Sequence, residues 1–237
     1  MKRDILDSLQ RARAAKRPVA LVTNLESGRQ ALLDGETVTG ELTLGGPVLD
    51  QARQAILDNR SATLPGTDLF VQAFNPPLRM IVVGAVHIAQ SLVPMAALAG
   101  YDVTVVDPRK AWATDARFPE VRMSTEWPDA ALAALTPDHR TAVIVLTHDP
   151  KLDDPALEVT LKSPVFYIGA LGSTRTHAKR LDRLRAAGLD EAALARIHGP
   201  IGLAIGAKNP SEIAIAILAQ MTQALHGAPP LVKAEVA

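Results

Sequence analysis

Four stretches of this chain combine residue types and spacings that can do chemistry. The first is Gly84-Ala85-Val86-His87-Ile88-Ala89, directly after the apolar run Met80-Ile81-Val82-Val83. A strand, a glycine turn and a helix start in that order nearly spell the dinucleotide fingerprint G-x-G-x-x-A, with the tight turn at Gly84 and close helix packing at Ala89. Asp107 ends the next apolar run, 23 residues past Gly84, where an acid would hold a ribose hydroxyl of NAD(P). Val86, however, fills the middle glycine, and its isopropyl group obstructs the approach of backbone to a pyrophosphate. The spelling predicts a Rossmann-like turn and weakens the case for a dinucleotide.

A second glycine turn, Gly169-Ala170-Leu171-Gly172-Ser173-Thr174, follows another apolar run and leads into Arg175, His177, Lys179, Arg180, Asp182, Arg183 and Arg185. Five positive side chains face one negative there, a local excess of +4 in a chain whose formal net charge is zero. Unpaired N–H groups at the positive end of a helix suit an anion, so the turn reads as an anion site. Ser173 or Thr174 would cap the helix or ligate a phosphate. Leu181 and Leu184 mark an apolar stripe, so the charges on the helix body also fit a plain solvated face.

The third stretch, Thr147-His148-Asp149, stands at the end of a strong apolar strand, where open α/β sheets place ligands. A histidine beside an acid there can bind, position or transfer a proton, or simply be hydrogen-bonded structure. His87 belongs to the same edge. Two histidines and an acid can hold a metal, but this spacing carries no ligand signature. The fourth, 198–208, has three glycines in a loop and ends at Asn209-Pro210-Ser211-Glu212, an Asx cap with proline in the first turn and Glu at N3. Glu212 therefore needs no catalytic role, whereas the glycines suggest backbone in close approach to something.

Other chemistries drop out. Zero cysteines exclude disulfides, a thiolate nucleophile, Cys-ligated zinc and iron–sulfur clusters in this chain. G-x-S-x-G, G-x-x-x-x-G-K-[ST] and H-E-x-x-H are absent, and neither Tyr101 nor Tyr167 has Lys four residues on. No complete catalytic constellation is legible. Twenty-five basic residues against twenty-five acidic give no field for nucleic acid or an anionic membrane. No run approaches the roughly 18 apolar residues of a membrane span. The start, Met1-Lys2-Arg3-Asp4, leads into a charged amphipathic stretch, so the expectation is a soluble, cytoplasmic chain.

The elements that must hold these stretches fall into two styles. Residues 1–76 predict a small α+β domain. It has a helix with Ile5, Leu9 and Ala12 on one face and a strand at 19–22. A hairpin through Asp34-Gly35, a helix from Pro47 to about Asn59 and a strand at 68–74 follow. Asn75-Pro76-Pro77 is the linker candidate, since two prolines cannot continue a ladder. Over 78–226, apolar strands (80–83, 103–106, 142–146, 165–168) alternate with helices at 88–99, 128–135, 156–161, 175–187, 191–197 and 210–225. Strands apolar without alternation are buried on both faces, which requires a parallel sheet covered by helices. The fold expected is α/β: a Rossmann-like doubly wound sheet preceded by the small domain, with a frayed tail at 227–237.

Several of these strings, taken together, resemble the xanthine dehydrogenase accessory (XdhC/CoxI) family in order and spacing. They are Ile81-Val82-Val83-Gly84-Ala85-Val86-His87-Ile88-Ala89, Val105-Val106-Asp107-Pro108-Arg109 and Thr147-His148-Asp149. Tyr167 to Ser173, Gly202 to Ala207 and Pro210-Ser211-Glu212-Ile213-Ala214 complete the series. The likeness covers roughly 78–222, and is looser over the first domain. It implies a Rossmann-like domain that binds molybdenum cofactor and assists its sulfuration and insertion into a xanthine dehydrogenase-type molybdenum hydroxylase. A cysteine desulfurase and a second copy of the chain are the further partners implied. Carried over residue by residue, the implied cofactor contacts are Gly84, His87, Asp107, Arg109, His148, Asp149, Gly169, Gly172 and Ser173. Two departures stand out: Val86 for a glycine, and Gly45-Gly46-Pro47 where the family has Gly-Gly-Cys. Proline can neither ligate molybdenum nor relay sulfur. Two rival readings remain: an NAD(P)-dependent oxidoreductase, and a degenerate adaptor bridging a sulfurase and the apo-enzyme.

Overall fold

A computed structural model describes residues 2–228, and the chain divides after Pro76 into two compact units. The first contains α1 (Arg3–Ala14), β1 (Val19–Asn24), β2 (Gln30–Asp34), β3 (Thr37–Gly40), α2 (Gly46–Leu57), β4 (Ala62–Thr63) and β5 (Leu69–Phe74). The strands form an antiparallel sheet in the order β3-β2-β1-β5-β4. Central β1 begins with an unbroken apolar run because both its faces are covered. Val19 and Leu21 pack with Ile5, Leu9 and Ala12 of α1, while Ala20 and Val22 pack with Ala52 of α2. The segment Gly45-Gly46-Pro47 is the start of α2, with proline in its first turn.

The second unit contains β6 (Leu78–Val83), α3 (His87–Leu98), β7 (Tyr101–Val106), β8 (Arg122–Ser124), α4 (Pro128–Leu135) and β9 (Thr141–Val145). It continues through α5 (Pro150–Leu161), β10 (Tyr167–Ala170), α6 (Thr174–Ala186), α7 (Glu191–Leu194), β11 (Ile197–His198) and α8 (Pro210–Leu225). All six strands are parallel, in the order β11-β10-β9-β6-β7-β8. Counted in chain order within this unit that is 3-2-1-4-5-6 read from the β8 edge, the doubly wound arrangement expected from the unbroken apolar strands. Met80 and Val82 of β6 pack toward α3 and α8, and Ile81 and Val83 toward α4, α5 and α6. The chain leaves β6 toward β7 on one side and returns to β9 on the other, so the switch point lies at the carboxyl ends of β6 and β9.

Two expectations are corrected. The helix read from Ala156 begins at Pro150, because Asp149 caps it and Pro150 sits in the first turn, which placed the apparent boundary too late. The helix read over 191–197 is a single turn ending at Leu194. Ile197 and His198 then pair with Ile168 and Gly169 as a sixth strand. Strands β4, β8 and β11 span two or three residues each, too short to display a period. The tail expected to fray falls, from residue 229 onward, outside the described residues. Its first residues close α8: Gly227 takes φ +59°, and the Ala228 N–H donates to the Gln223 carbonyl at 3.0 Å. Among the described residues no helix is long and apolar enough to cross a membrane.

Candidate functional site

The carboxyl edge of the parallel sheet gathers most of the residues singled out by the sequence. Gly84 leaves β6 at φ +112°, and a Cβ there would stand 2.8 Å from Thr147 Cγ2 at the end of β9. The glycine therefore serves both the turn and the closeness of the two strand ends. Val86 then begins α3 with ordinary extended angles and no side-chain cap, and its side chain packs against the α3/α8 core. The N–H groups of Val86, His87, Ile88 and Ala89 make no hydrogen bond within the described residues. His87 is exposed at the first helical position.

Asp107, expected to contact a cofactor or a ribose, is fully buried and faces inward. Its Oδ2 accepts the Ala85 N–H and Arg109 Nη2, each at 2.8 Å; its Oδ1 accepts the Arg109 N–H and Nε, each at 2.9 Å. Burial pushes this carboxyl up. The Arg109 side chain and the two backbone N–H groups outweigh that effect and hold it below its usual range. With both oxygens occupied, Asp107 cannot reach a ligand; it fixes the first turn and orients Arg109. The Arg109 guanidinium, laid along the carboxylate, also sits 5.2 Å from the centroid of the Trp112 ring, which has Arg117 at 5.1 Å as well. Asp149 and Asp153 add to the field that favours its charge. Its Nη1 makes no bond within the described residues.

At β9, Thr147 is buried, and His148 and Asp149 are exposed. Asp149 Oδ1 accepts the Lys151 N–H at 3.0 Å as the cap of α5, so this acid is helix-start chemistry as well as a crevice group. The Thr147 hydroxyl donates to Asp153 Oδ1, and Asp153 Oδ2 pairs with Arg180 Nη2 at 3.2 Å. Arg180 Nη2 also donates to the Leu171 carbonyl at 2.7 Å. Burial raises the Asp153 carboxyl above its usual range despite Thr147 and Arg180. Sequence reasoning misses Asp153 and Arg180 as a pair. One lies in an unremarkable helix turn and the other is one cation among five, and no local signal separates them.

At β10 the candidates divide. Gly169 is a packing residue: a Cβ would collide with Ile201 Cδ1 and stand 2.7 Å from its Cγ1 and 2.8 Å from Tyr167 Cε1. It lies inside the strand, not on the crevice. Gly172, at φ +145°, lies on the crevice, and Ser173 caps α6 by accepting the Thr176 N–H at 3.1 Å. The N–H groups of Gly172, Ser173, Thr174 and Arg175 make no hydrogen bond within the described residues. The local +4 is mostly neutralised. Arg180 pairs with Asp153, Arg183 with Asp154, and Arg185 with Asp182 and Glu191. Arg175 and Lys179 remain exposed, with no acid paired to either among the described residues.

The last loop resolves as its capping residues foretold. Glu212 accepts from the Lys208 and Asn209 N–H groups, while Asn209 accepts from the Glu212 N–H at 3.0 Å. Gly202 explains the close approach: its Cβ would meet Ala216 Cβ at 3.1 Å on α8. A groove of about 670 Å³ runs along α3 beside Phe118, and one of about 310 Å³ beside α2; neither is lined by a candidate residue. No group of three His, Asp or Glu among the described residues is placed to hold a metal ion.

This sheet order, with open helix starts at the carboxyl edge and the ribose-position acid turned inward, defines a Rossmann-type domain whose crevice suits an anion. Residues 80–221 match the family model described as the XdhC Rossmann domain, and the chain belongs to the XdhC family. It is 33% identical over 163 residues to the uncharacterized protein YqeB of Escherichia coli K12, covering 68% of this chain and 30% of that protein. It is 30% identical over 174 residues to the molybdenum cofactor insertion chaperone PaoD of the same organism, covering 73% and 48%. With a probable xanthine dehydrogenase subunit of Bacillus subtilis it shares 32% over 158 residues, covering 66% and 46%. The chain thus spans from under a third to about half the length of these relatives. A crystal structure of a xanthine dehydrogenase from Bacillus halodurans superposes with TM-score 0.73 at 25% identity, over 98% of this chain and 66% of that one.

Proposed function

We propose that this chain binds molybdenum cofactor as cargo and assists its sulfuration and insertion into a xanthine dehydrogenase-type molybdenum hydroxylase. Family membership and the likeness to PaoD support the reading. The observation that carries it is the pair of helix starts, α3 and α6, that bring eight unbonded N–H groups to the switch-point edge from opposite faces of the sheet. The cargo is a flat pterin with a terminal phosphate, and these residues fit it. Gly84 and Gly172 allow close backbone approach, and the helix starts receive the anion. Arg109, held flat by Asp107, offers a fixed cation with one free nitrogen. His87, His148 and Asp149 line the exposed rim, and Ser173 keeps the α6 start open. Asp107 and Gly169 act one layer back, as positioning and packing groups.

The chain has no thiol, so it holds the cofactor while sulfur comes from a partner, a cysteine desulfurase, in the cytoplasm. The chain works as a homodimer that delivers its cargo to the molybdenum subunit. Purification from a host that makes the cofactor, followed by fluorescence of the oxidised pterin, tests this; a protein that carries no pterin ends the reading. Calorimetric titration with NAD and NADP tests the oxidoreductase alternative, and the inward-turned Asp107 leads us to expect no heat from either.

A further inference from the structure

Arg180 is 1% exposed, yet only its Nη2 is bonded; Nε and Nη1 are buried without a partner among the described residues. Buried polar groups in native proteins are nearly always satisfied, so a guanidinium left with two idle nitrogens requires an explanation. Its single carboxylate does not fully provide one. Asp153 meets only Nη2, and its Oδ1 is engaged by Thr147. The guanidinium is therefore held against the second glycine turn with Nε and Nη1 unbonded. Nη2 bonds the Leu171 carbonyl of that turn and lies 3.8 Å from where a Gly172 Cβ would be.

The turn itself is built to receive a compact anion. Gly172, Ser173, Thr174 and Arg175 present four successive unbonded N–H groups at the start of a 13-residue helix with no acid in its first turn. Thr176 already has its N–H satisfied by Ser173. Arg175 and Lys179 stand exposed on the same first turns, whereas Arg183 and Arg185 are engaged by acids further along. We infer that the turn 172–175 is a phosphate-monoester subsite, its N–H groups bonding the oxygens while Arg180 supplies a fixed charge from beneath. Resting on the function proposed above, this makes it the seat of the cargo's terminal phosphate, with the pterin directed toward Arg109. A phosphate monoester dianion has three terminal oxygens and can accept from several of these N–H donors at once.

The test uses the full chain and inorganic phosphate as the probe, followed by calorimetry at low salt. Ser173→Asp is the informative variant: aspartate caps the helix as well as serine, so folding is preserved, but it places a negative charge in the subsite. Saturable phosphate binding by the unaltered chain, weakened about tenfold or more in S173D with an unchanged or higher melting temperature, is the expected result. No saturable binding, or equal affinity in S173D, overturns the subsite. Arg180→Met should weaken phosphate in the same direction; if it unfolds the chain, S173D decides alone. Retention of molybdopterin and of its enzymatically dephosphorylated form separates the two proposals. Equal retention of both overturns the phosphate seat and leaves the chaperone reading standing. Retention of neither, with phosphate still binding saturably, supports the subsite and ends the chaperone reading.

Discussion

Arg109 lies along the buried Asp107 carboxylate with Nε 2.9 Å from Oδ1 and Nη2 2.8 Å from Oδ2, so the acid at the ribose position faces its own neighbour instead of a ligand. Asp107→Asn removes the charge and turns an amide N–H toward Arg109 or Ala85. The expected cost is about 2 kcal/mol by urea unfolding at neutral pH. The fold holds this carboxyl below its usual range. Its stabilisation is therefore complete above the unfolded value of about 4 and is lost as pH falls toward the folded value. The gap between D107N and the unaltered chain should close on acidification; a gap that stays constant would show that the carboxylate charge is not what matters.

Gly169→Ala distinguishes packing from cofactor contact. A methyl there meets Ile201 and Tyr167, and overpacking of that kind costs about 1–3 kcal/mol. Adding Ile201→Ala should recover part of the loss in a thermal melt. A G169A protein of full stability that fails to hold pterin would return this glycine to the binding site.

Asp153 and Arg180 should behave as a coupled pair. Removing either partner is expected to cost about 3–5 kcal/mol, because the other is left buried and uncompensated. The double variant Asp153→Leu with Arg180→Met should cost clearly less than the sum. Additive losses in the double-mutant cycle would mean that the two do not interact.

Glu212→Ala removes one half of the capping box and is expected to cost about 1 kcal/mol. Pterin retention should be unchanged at equal folded fraction. A selective loss of retention would show that the residue touches the cargo.

Much of the second unit is legible in the sequence because its signals are local. Continuous apolar runs such as Met80–Val83 arise from burial on both faces, and that pattern alone calls for a parallel sheet. Asn209 and Glu212 spell their own cap. The two-residue strand β11 is not legible: Ile197 and His198 are a strand only because β10 lies alongside. Among the candidate residues, position along the chain puts Gly84, His87, Arg109, His148, Asp149, Gly172 and Ser173 after strand ends, and the parallel sheet gathers those ends at one edge. It cannot tell which way a side chain turns.

The chain's composition by itself determined that these residues supply no thiol, and its motif order determined the α/β class, the two glycine turns and the family likeness, since each is written in contiguous residues. Tertiary structure alone decided that Asp107 points inward, that Gly169 makes room for Ile201, and that three of the five cations behind the local +4 are paired with acids while Arg175 and Lys179 stay exposed. The physical reason is the same in each case. Pairing partners such as Asp153 and Arg180 are 27 residues apart and meet only when α5 and α6 pack, so the electrostatics of the crevice belong to the fold and not to any segment.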